Sequence, residues 1–156
     1  MRRLFTILVI VFLGEARASG FTVGPTFGLF SVGGQISWES DARIGARLGV
    51  TYGLLSPGPM VSLDVYQAFG EQLEIRLGGG LTWLQNSASG TLTNYLAVSG
   101  LIAVLIPVEQ GWSLMYEGLL SLVAYRSTPN VVFLDQVFRF DEILASQINV
   151  GLIYRF

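Results

Sequence analysis

The sequence predicts an all-β fold: a closed antiparallel transmembrane β-barrel of about eight strands. Three observations lead there. Of 156 residues, 51% are hydrophobic and only 13% charged, with a mean hydropathy of +0.56, whereas soluble domains carry about 25% charged residues. A chain this short cannot hide so much apolar surface in its own core, so lipid is the expected neighbour. Past the N-terminal segment, no stretch offers the roughly 18 apolar residues of a membrane helix. The best run, Leu96 to Val108, is broken by Ser99, Gly100 and Pro107, and 19 glycines disfavour helices throughout. Finally, apolar residues recur with period two, the repeat of a strand with two unlike faces. In hydrocarbon only helices and closed barrels satisfy every backbone group, which leaves the barrel.

The chain opens with Met1-Arg2-Arg3, an apolar stretch from Leu4 to Gly14, and Ala16-Arg17-Ala18. Positive charge, apolar stretch and small-x-small pattern in this order read as a secretory signal peptide. The expectation is a signal over 1–18, cut between Ala18 and Ser19 with Ala16 as the other small residue, and a barrel domain over 19–156. That domain carries six arginines and ten acidic residues, a net charge of 6 − 10 = −4.

Eight strands are expected at about 20–27, 30–39, 43–54, 60–69, 73–84, 94–108, 112–126 and 143–156. The third is the clearest: Ile44, Ala46, Leu48, Val50, Tyr52 and Leu54 alternate with Arg43, Gly45, Arg47, Gly49, Thr51 and Gly53. A barrel strand turns the apolar set to lipid and the small or polar set to the lumen. The fourth strand opposes Val61, Leu63 and Val65 to Ser62 and Asp64. Next, Leu73, Ile75, Leu77, Leu81 and Trp83 oppose Glu74, Arg76, Gly78, Gly80 and Thr82. Leu96 to Val108 is apolar on both faces and leaves its orientation open. The seventh strand sets Trp112, Leu114, Tyr116, Leu120 and Leu122 against Ser113, Glu117 and Ser121. The last sets Ile148, Val150, Leu152, Tyr154 and Phe156 against Gln147, Asn149, Gly151 and Arg155. Tight turn signals at Ser40-Asp41-Ala42, Gly70-Glu71-Gln72 and Glu109-Gln110-Gly111 alternate with looser ones at 56–59, 86–90 and 126–142. Barrels show this asymmetry of short periplasmic turns and longer external loops. A competing register joins 21–39 into one strand and makes Val131 to Phe140 another. Trp38, Trp83, Trp112, Tyr52, Tyr154 and Phe156 fall near strand ends on the apolar face, as interfacial aromatic girdles do.

The alternation sends Arg43, Arg47, Asp64, Glu74, Arg76, Glu117 and Arg155 inward. Eight strands enclose a lumen barely wide enough for side chains, and unpaired charge there is costly. A salt-bridged plug is therefore expected, arginine's planar fork suiting buried carboxylates; the competing use of the same charges is a gated path for ions or solutes. There is no cysteine, histidine or lysine. Disulfides, thiolate sites and histidine-dependent catalysis are thereby excluded, and neither cofactor nor metal is expected. With a pI near 5.0 and no basic patch, nucleic acid is not an expected partner. Val131, Val132, Phe133, Leu134, Val137, Phe138 and Phe140 are apolar for a loop, which suits either a strand or a lipid- or ligand-contacting lid. Asp135, Asp141 and Glu142 match no Ca²⁺-loop spacing. Gly78-Gly79-Gly80 lacks the lysine and helix of a phosphate loop.

The chain ends Asn149-Val-Gly-Leu-Ile-Tyr-Arg-Phe156. This resembles the C-terminal signal of bacterial outer-membrane barrels, with Asn149, Gly151, Tyr154 and Phe156 on its polar, glycine and aromatic positions. Over 19–156 the chain resembles the small eight-stranded outer-membrane proteins of the OmpA, OmpX and OmpW kind, and Gly28 to Gly53 resembles the first hairpins of uncharacterised outer-membrane β-barrel domains. The resemblance implies an outer-membrane location, the lipid bilayer and the barrel-insertion machinery as partners, and a monomer. It names no activity. The expected role is structural or surface-interacting rather than enzymatic. The alternatives are a narrow pore or conduit for small solutes or apolar molecules, and a histidine-free lipid-modifying enzyme.

Overall fold

A computed structural model describes residues 20–29, 31–53, 58–70, 72–88, 91–127 and 143–156. They form eight strands: β1 (Gly20–Gly28), β2 (Ser31–Glu39), β3 (Ile44–Gly53), β4 (Gly58–Phe69), β5 (Glu74–Ala88), β6 (Thr91–Glu109), β7 (Trp112–Ser127) and β8 (Ile143–Arg155). Each pairs antiparallel with the next, and β1 pairs antiparallel with β8, closing the barrel. Closure leaves no continuous open edge, the requirement hydrocarbon sets for a β wall. The break between β1 and β2 falls between Gly28 and Ser31, which are paired. The competing register, with one strand over 21–39, is therefore not the one adopted. Residues 131–140, and with them Asp135, Asp141 and Glu142, lie outside the described residues, as do Ala16, Ala18 and Ser19.

Period two sets the whole wall. Outward-facing Phe27, Val50, Leu63, Val65, Leu81, Ile102 and Leu120 are exposed, with Leu63 at 58%. In β6 the ambiguity of Leu96–Val108 resolves cleanly: Leu96, Val98, Ile102 and Ile106 face out, while Ala97, Ser99, Leu101, Ala103 and Leu105 face in. Pro25 occupies the point where the β1–β8 ladder skips from Val23↔Tyr154 to Thr26↔Gly151, so its missing N–H interrupts no pair of that ladder.

Two hairpins differ from expectation. Strand β5 continues to Ala88 and β6 begins at Thr91, so most of 86–90, expected as loop, is paired strand. The β4–β5 pairing ends at Met60↔Leu84 and the β7–β8 pairing at Leu122↔Ile143. The β5–β6 ladder therefore runs past the adjoining ladders, which end at Met60↔Leu84 and Asn94↔Ser127, and it includes Gln85 Nε2 donating to Asn94 Oδ1 at 3.1 Å. At the other rim the turns are tight. Gly70 and Gly111 adopt φ of 83° and 77°, and Arg43 holds φ 61° at the end of the β2–β3 turn. Around that rim Trp112 packs on Tyr154 (centroids 5.0 Å apart), Tyr154 on Phe156 (4.9 Å) and Phe156 against Phe21 (6.4 Å).

Candidate functional site in the barrel lumen

The inward face carries four arginines and four carboxylates among the described residues, in two layers. The inner layer centres on Arg47. The β3–β4 register sets Arg47 directly opposite Asp64, and the β7–β8 register sets Glu117 opposite Asn149. Arg47 donates from Nε and Nη2 to Asp64 Oδ2 at 3.0 and 2.7 Å, and from Nη2 to Ser62 Oγ at 3.0 Å. Its Nη1 donates to Gln35 Oε1 at 3.1 Å and reaches across the lumen to Glu117 Oε2. Glu117 Oε1 in turn accepts from Asn149 Nδ2 at 3.0 Å. Arg47 is 4% exposed, Asp64 0% and Glu117 4%. One cation thus holds two carboxylates out of water; Glu117 also accepts from Asn149, while Asp64 Oδ1 has no hydrogen-bond partner among the described residues.

The second layer lies at the short-turn rim. Glu74 and Arg76 are successive inward residues of β5, and Arg76 Nε donates to Glu74 Oε1 at 2.7 Å. Arg155 Nη2 reaches Glu74 Oε2 at 2.7 Å, and Arg43 Nη2 reaches the same oxygen at 3.0 Å. Glu39 joins from β2, 3.2 Å from Arg43 Nε and 3.8 Å from Arg76 Nη2. Arg76 also donates to Ser37 Oγ at 3.1 Å and lies 4.7 Å over the Tyr66 ring. The ring has room because Gly45 is inward: a Cβ there would collide with Tyr66 Cζ. Gly78 serves the same packing from β5, where a Cβ would meet Tyr66 Cα at 2.7 Å. This close approach is the physical use of the glycine run.

The seven expected charges therefore do meet, with one difference in placement. Arg43 belongs to the β2–β3 turn rather than to a strand, and its side chain is 34% exposed. It and Arg155, at 39%, close the mouth instead of lying deep in the lumen. The sequence reading missed Glu39, Gln35, Ser37 and Tyr66. Parity would have found the first three: with Trp38 on the outer face, Gln35, Ser37 and Glu39 must point inward. The same parity on β4 turns Tyr66 inward with Ser62 and Asp64. The C-terminal residues also have structural places. Asn149 binds Glu117, a Cβ on Gly151 would meet Pro25 O at 2.8 Å, and Tyr154 and Phe156 complete the rim aromatics.

The charges balance over the whole network and not within each layer. Arg47 against Asp64 and Glu117 leaves the inner layer at 1 − 2 = −1, and three arginines against Glu39 and Glu74 leave the mouth layer at 3 − 2 = +1. The layers adjoin at Ser37, which accepts from Arg76 and pairs in register with Arg47. The space beside Arg47 is about 10 Å³, measured as room for the centre of a water molecule. That is the size of one water site. Among the described residues no group of three or more acidic side chains is placed to hold a metal ion.

No protein-family model matches the chain, and no curated protein matches it. Solved structures do. The chain is similar to the N-terminal β-barrel domain of OprF from Pseudomonas aeruginosa, at 11% identity and a TM-score of 0.66, over 88% of this chain and 97% of that one. It is also similar to a major outer membrane protein from Thermus thermophilus, at 14% identity and a TM-score of 0.64, over 90% of this chain and 100% of that one. This chain is an eight-stranded closed antiparallel β-barrel of the fold found in those proteins.

Proposed function

We propose that the protein is an integral outer-membrane β-barrel with a structural or surface-interaction role in the envelope and a lumen shut by salt bridges. The carrying observation is the pairing of an apolar outer wall with a charge-neutral, ion-paired interior. Even the shortest strands, β1 and β2, have 9 residues, enough to cross hydrocarbon when tilted. From Ile44 to Tyr52, Val61 to Val65, Ile75 to Trp83 and Leu96 to Ile106, no outward residue is charged. Lipid-facing charge would cost ~2–4 kcal/mol near the midplane. The rim aromatics fit an interfacial girdle. The likeness to an outer membrane protein from Thermus supports the same location.

In this reading Asn149, Gly151, Tyr154 and Phe156 present the strand to the barrel-insertion machinery, residues 1–18 address the chain for export, and the barrel acts as a monomer. The arginines and carboxylates serve closure rather than catalysis, and the water-sized space beside Arg47 speaks against conduction. Two measurements test the reading together. Electrophoresis of unboiled and boiled protein should show a heat-dependent mobility shift with a β-rich circular dichroism spectrum. Planar-bilayer recordings should show no reproducible single-channel steps. Free solubility of the folded chain without detergent refutes the membrane assignment; regular conductance steps refute the closed lumen.

A further inference from the structure

The small cavity beside Arg47 has an unusual lining. Thr26 and Thr51 are 3% and 9% exposed, and neither Oγ1 has a hydrogen-bond partner in the protein. Both line the cavity, together with Gln35, Arg47, Glu117 and Asn149. The register explains the arrangement. Thr26 pairs with Gly33 on β2, and Gly33 pairs with Thr51 on β3. The two threonines thus flank Gly33, over which the Thr51 Cγ2 methyl lies, 2.6 Å from where a Cβ would stand. They do not bond each other, and Asn149 and Gln35 are turned to other partners, Glu117 and Met115 Sδ. Buried hydroxyls without partners are costly and rare. A cavity of about 10 Å³ with several converging polar groups meets the size and polarity a buried water needs.

We propose that this cavity is a binding site for one ordered water molecule, held by the Thr26 and Thr51 hydroxyls and by the polar atoms around Arg47. The water joins β1 to β3 and fills the remaining space beside the inner charge layer, extending the hydrogen-bonded plug toward the loop end. A sodium ion would be the other occupant of this size. The opposite net charges of the two layers supply the balance that a cation would otherwise supply, and Arg47 borders the space, so water is the better fit.

Thr→Val replacements test this, because they remove a hydroxyl at nearly constant shape and the sign of the effect discriminates. Thr26→Val, Thr51→Val and the double variant of the full chain, refolded in detergent, are compared by urea unfolding. With a shared water, each single variant lowers the midpoint by about 0.3–1 M, and the double variant falls little further than the worse single. Unchanged or raised midpoints mean the hydroxyls hold nothing, and additive losses mean they share no ligand; either overturns the proposal. Replacing sodium by N-methyl-D-glucamine at equal ionic strength should leave the wild-type midpoint unmoved, and a drop there overturns the water assignment in favour of a cation. If the variants fold poorly, a crystal structure of the wild-type chain decides. One solvent peak within hydrogen-bond distance of both Oγ1 atoms supports the site, and an empty cavity overturns it.

Discussion

Replacing Arg47 by Met removes the cation from the inner layer while keeping most of the side chain's volume. Asp64 and Glu117, at 0% and 4% exposure, would then share a buried lumen with no cation in contact. Breaking a buried pair by removing one partner costs ~3–5 kcal/mol, and the lost bonds to Gln35 and Ser62 add about 1 kcal/mol each at most. A total near 5 kcal/mol is a large part of the roughly 5–15 kcal/mol that typically holds a domain folded. With a urea slope of about 1–3 kcal/mol/M, the midpoint should fall by about 2–5 M. The assay is urea unfolding in detergent or vesicles, read by tryptophan fluorescence and gel mobility. The decisive arm is the triple variant Arg47→Met, Asp64→Asn, Glu117→Gln, which removes the orphaned charge and should regain most of the loss. A cost under about 1 kcal/mol for Arg47→Met, or a triple variant no better than the single, refutes the claim that Arg47 holds both carboxylates in the lumen.

The mouth layer should behave differently. Arg43→Gln should cost about 1 kcal/mol or less and become weaker still in high salt, because that side chain is one-third exposed. Arg76→Met, buried between Glu74 and the Tyr66 ring, should cost several-fold more in the same unfolding assay. On the outer wall, Leu63 pairs in register with Leu48 and Leu81 and is 58% exposed. Leu63→Arg should lose ~2–4 kcal/mol in vesicles, where a surface substitution on a soluble protein stays within about 0.5 kcal/mol; a neutral result there contradicts burial of this wall in lipid. Phe156→Ala should lower the amount of folded barrel recovered from cells while moving the stability of the refolded protein by about 1 kcal/mol or less, since the ring is 74% exposed and pairs with the rim aromatics Phe21 and Tyr154.

Strand number, order and facing were legible because one physical rule acts on every strand: the outer face must be apolar and the inner face small or polar. Where that contrast is strong, as between Ile44 and Tyr52 or Glu74 and Trp83, boundaries fall within a few residues of expectation. The contrast fails in Leu96–Val108, because small apolar residues such as Ala97 and Ala103 and the larger Leu101 and Leu105 fill lumen that no charge needs. The charges of the site were legible by parity alone; Glu39 was missed although Trp38 on the outer face fixes its parity, because its glycine- and serine-rich strand shows little contrast between faces. Partner choice was not legible. Nothing along the chain says that Arg47 reaches Glu117, 70 positions away, since that contact depends on how the closed wall brings β3 opposite β7. The fate of 86–88 was misread for a related reason. Small polar residues usually mark turns, but here cross-strand pairing carries Asn86, Ser87 and Ala88 as strand.

The two charge layers differ in what they can do for the barrel. Arg76 and Glu74 stand two residues apart on one strand, so their ion pair can form as soon as β5 is extended and says little about closure. Arg47 and Asp64 sit on adjacent strands and need only the β3–β4 hairpin. The Arg47–Glu117 contact is of another kind, because it spans the lumen and exists only once the sheet has curled shut. Until then Arg47 carries one carboxylate and Glu117 lacks its cation, so the open sheet bears an unpaired charge that the closed barrel does not. Closure is thereby coupled to neutralisation, beyond what the β1–β8 backbone pairing contributes. The rim layer adds a second tie of the same sort, since Arg155 of β8 meets Glu74 of β5 only across the closed mouth. A lumen assembled this way favours a shut barrel of eight strands over a wider or open one, because any expansion separates Arg47 from Glu117 and Arg155 from Glu74 at once.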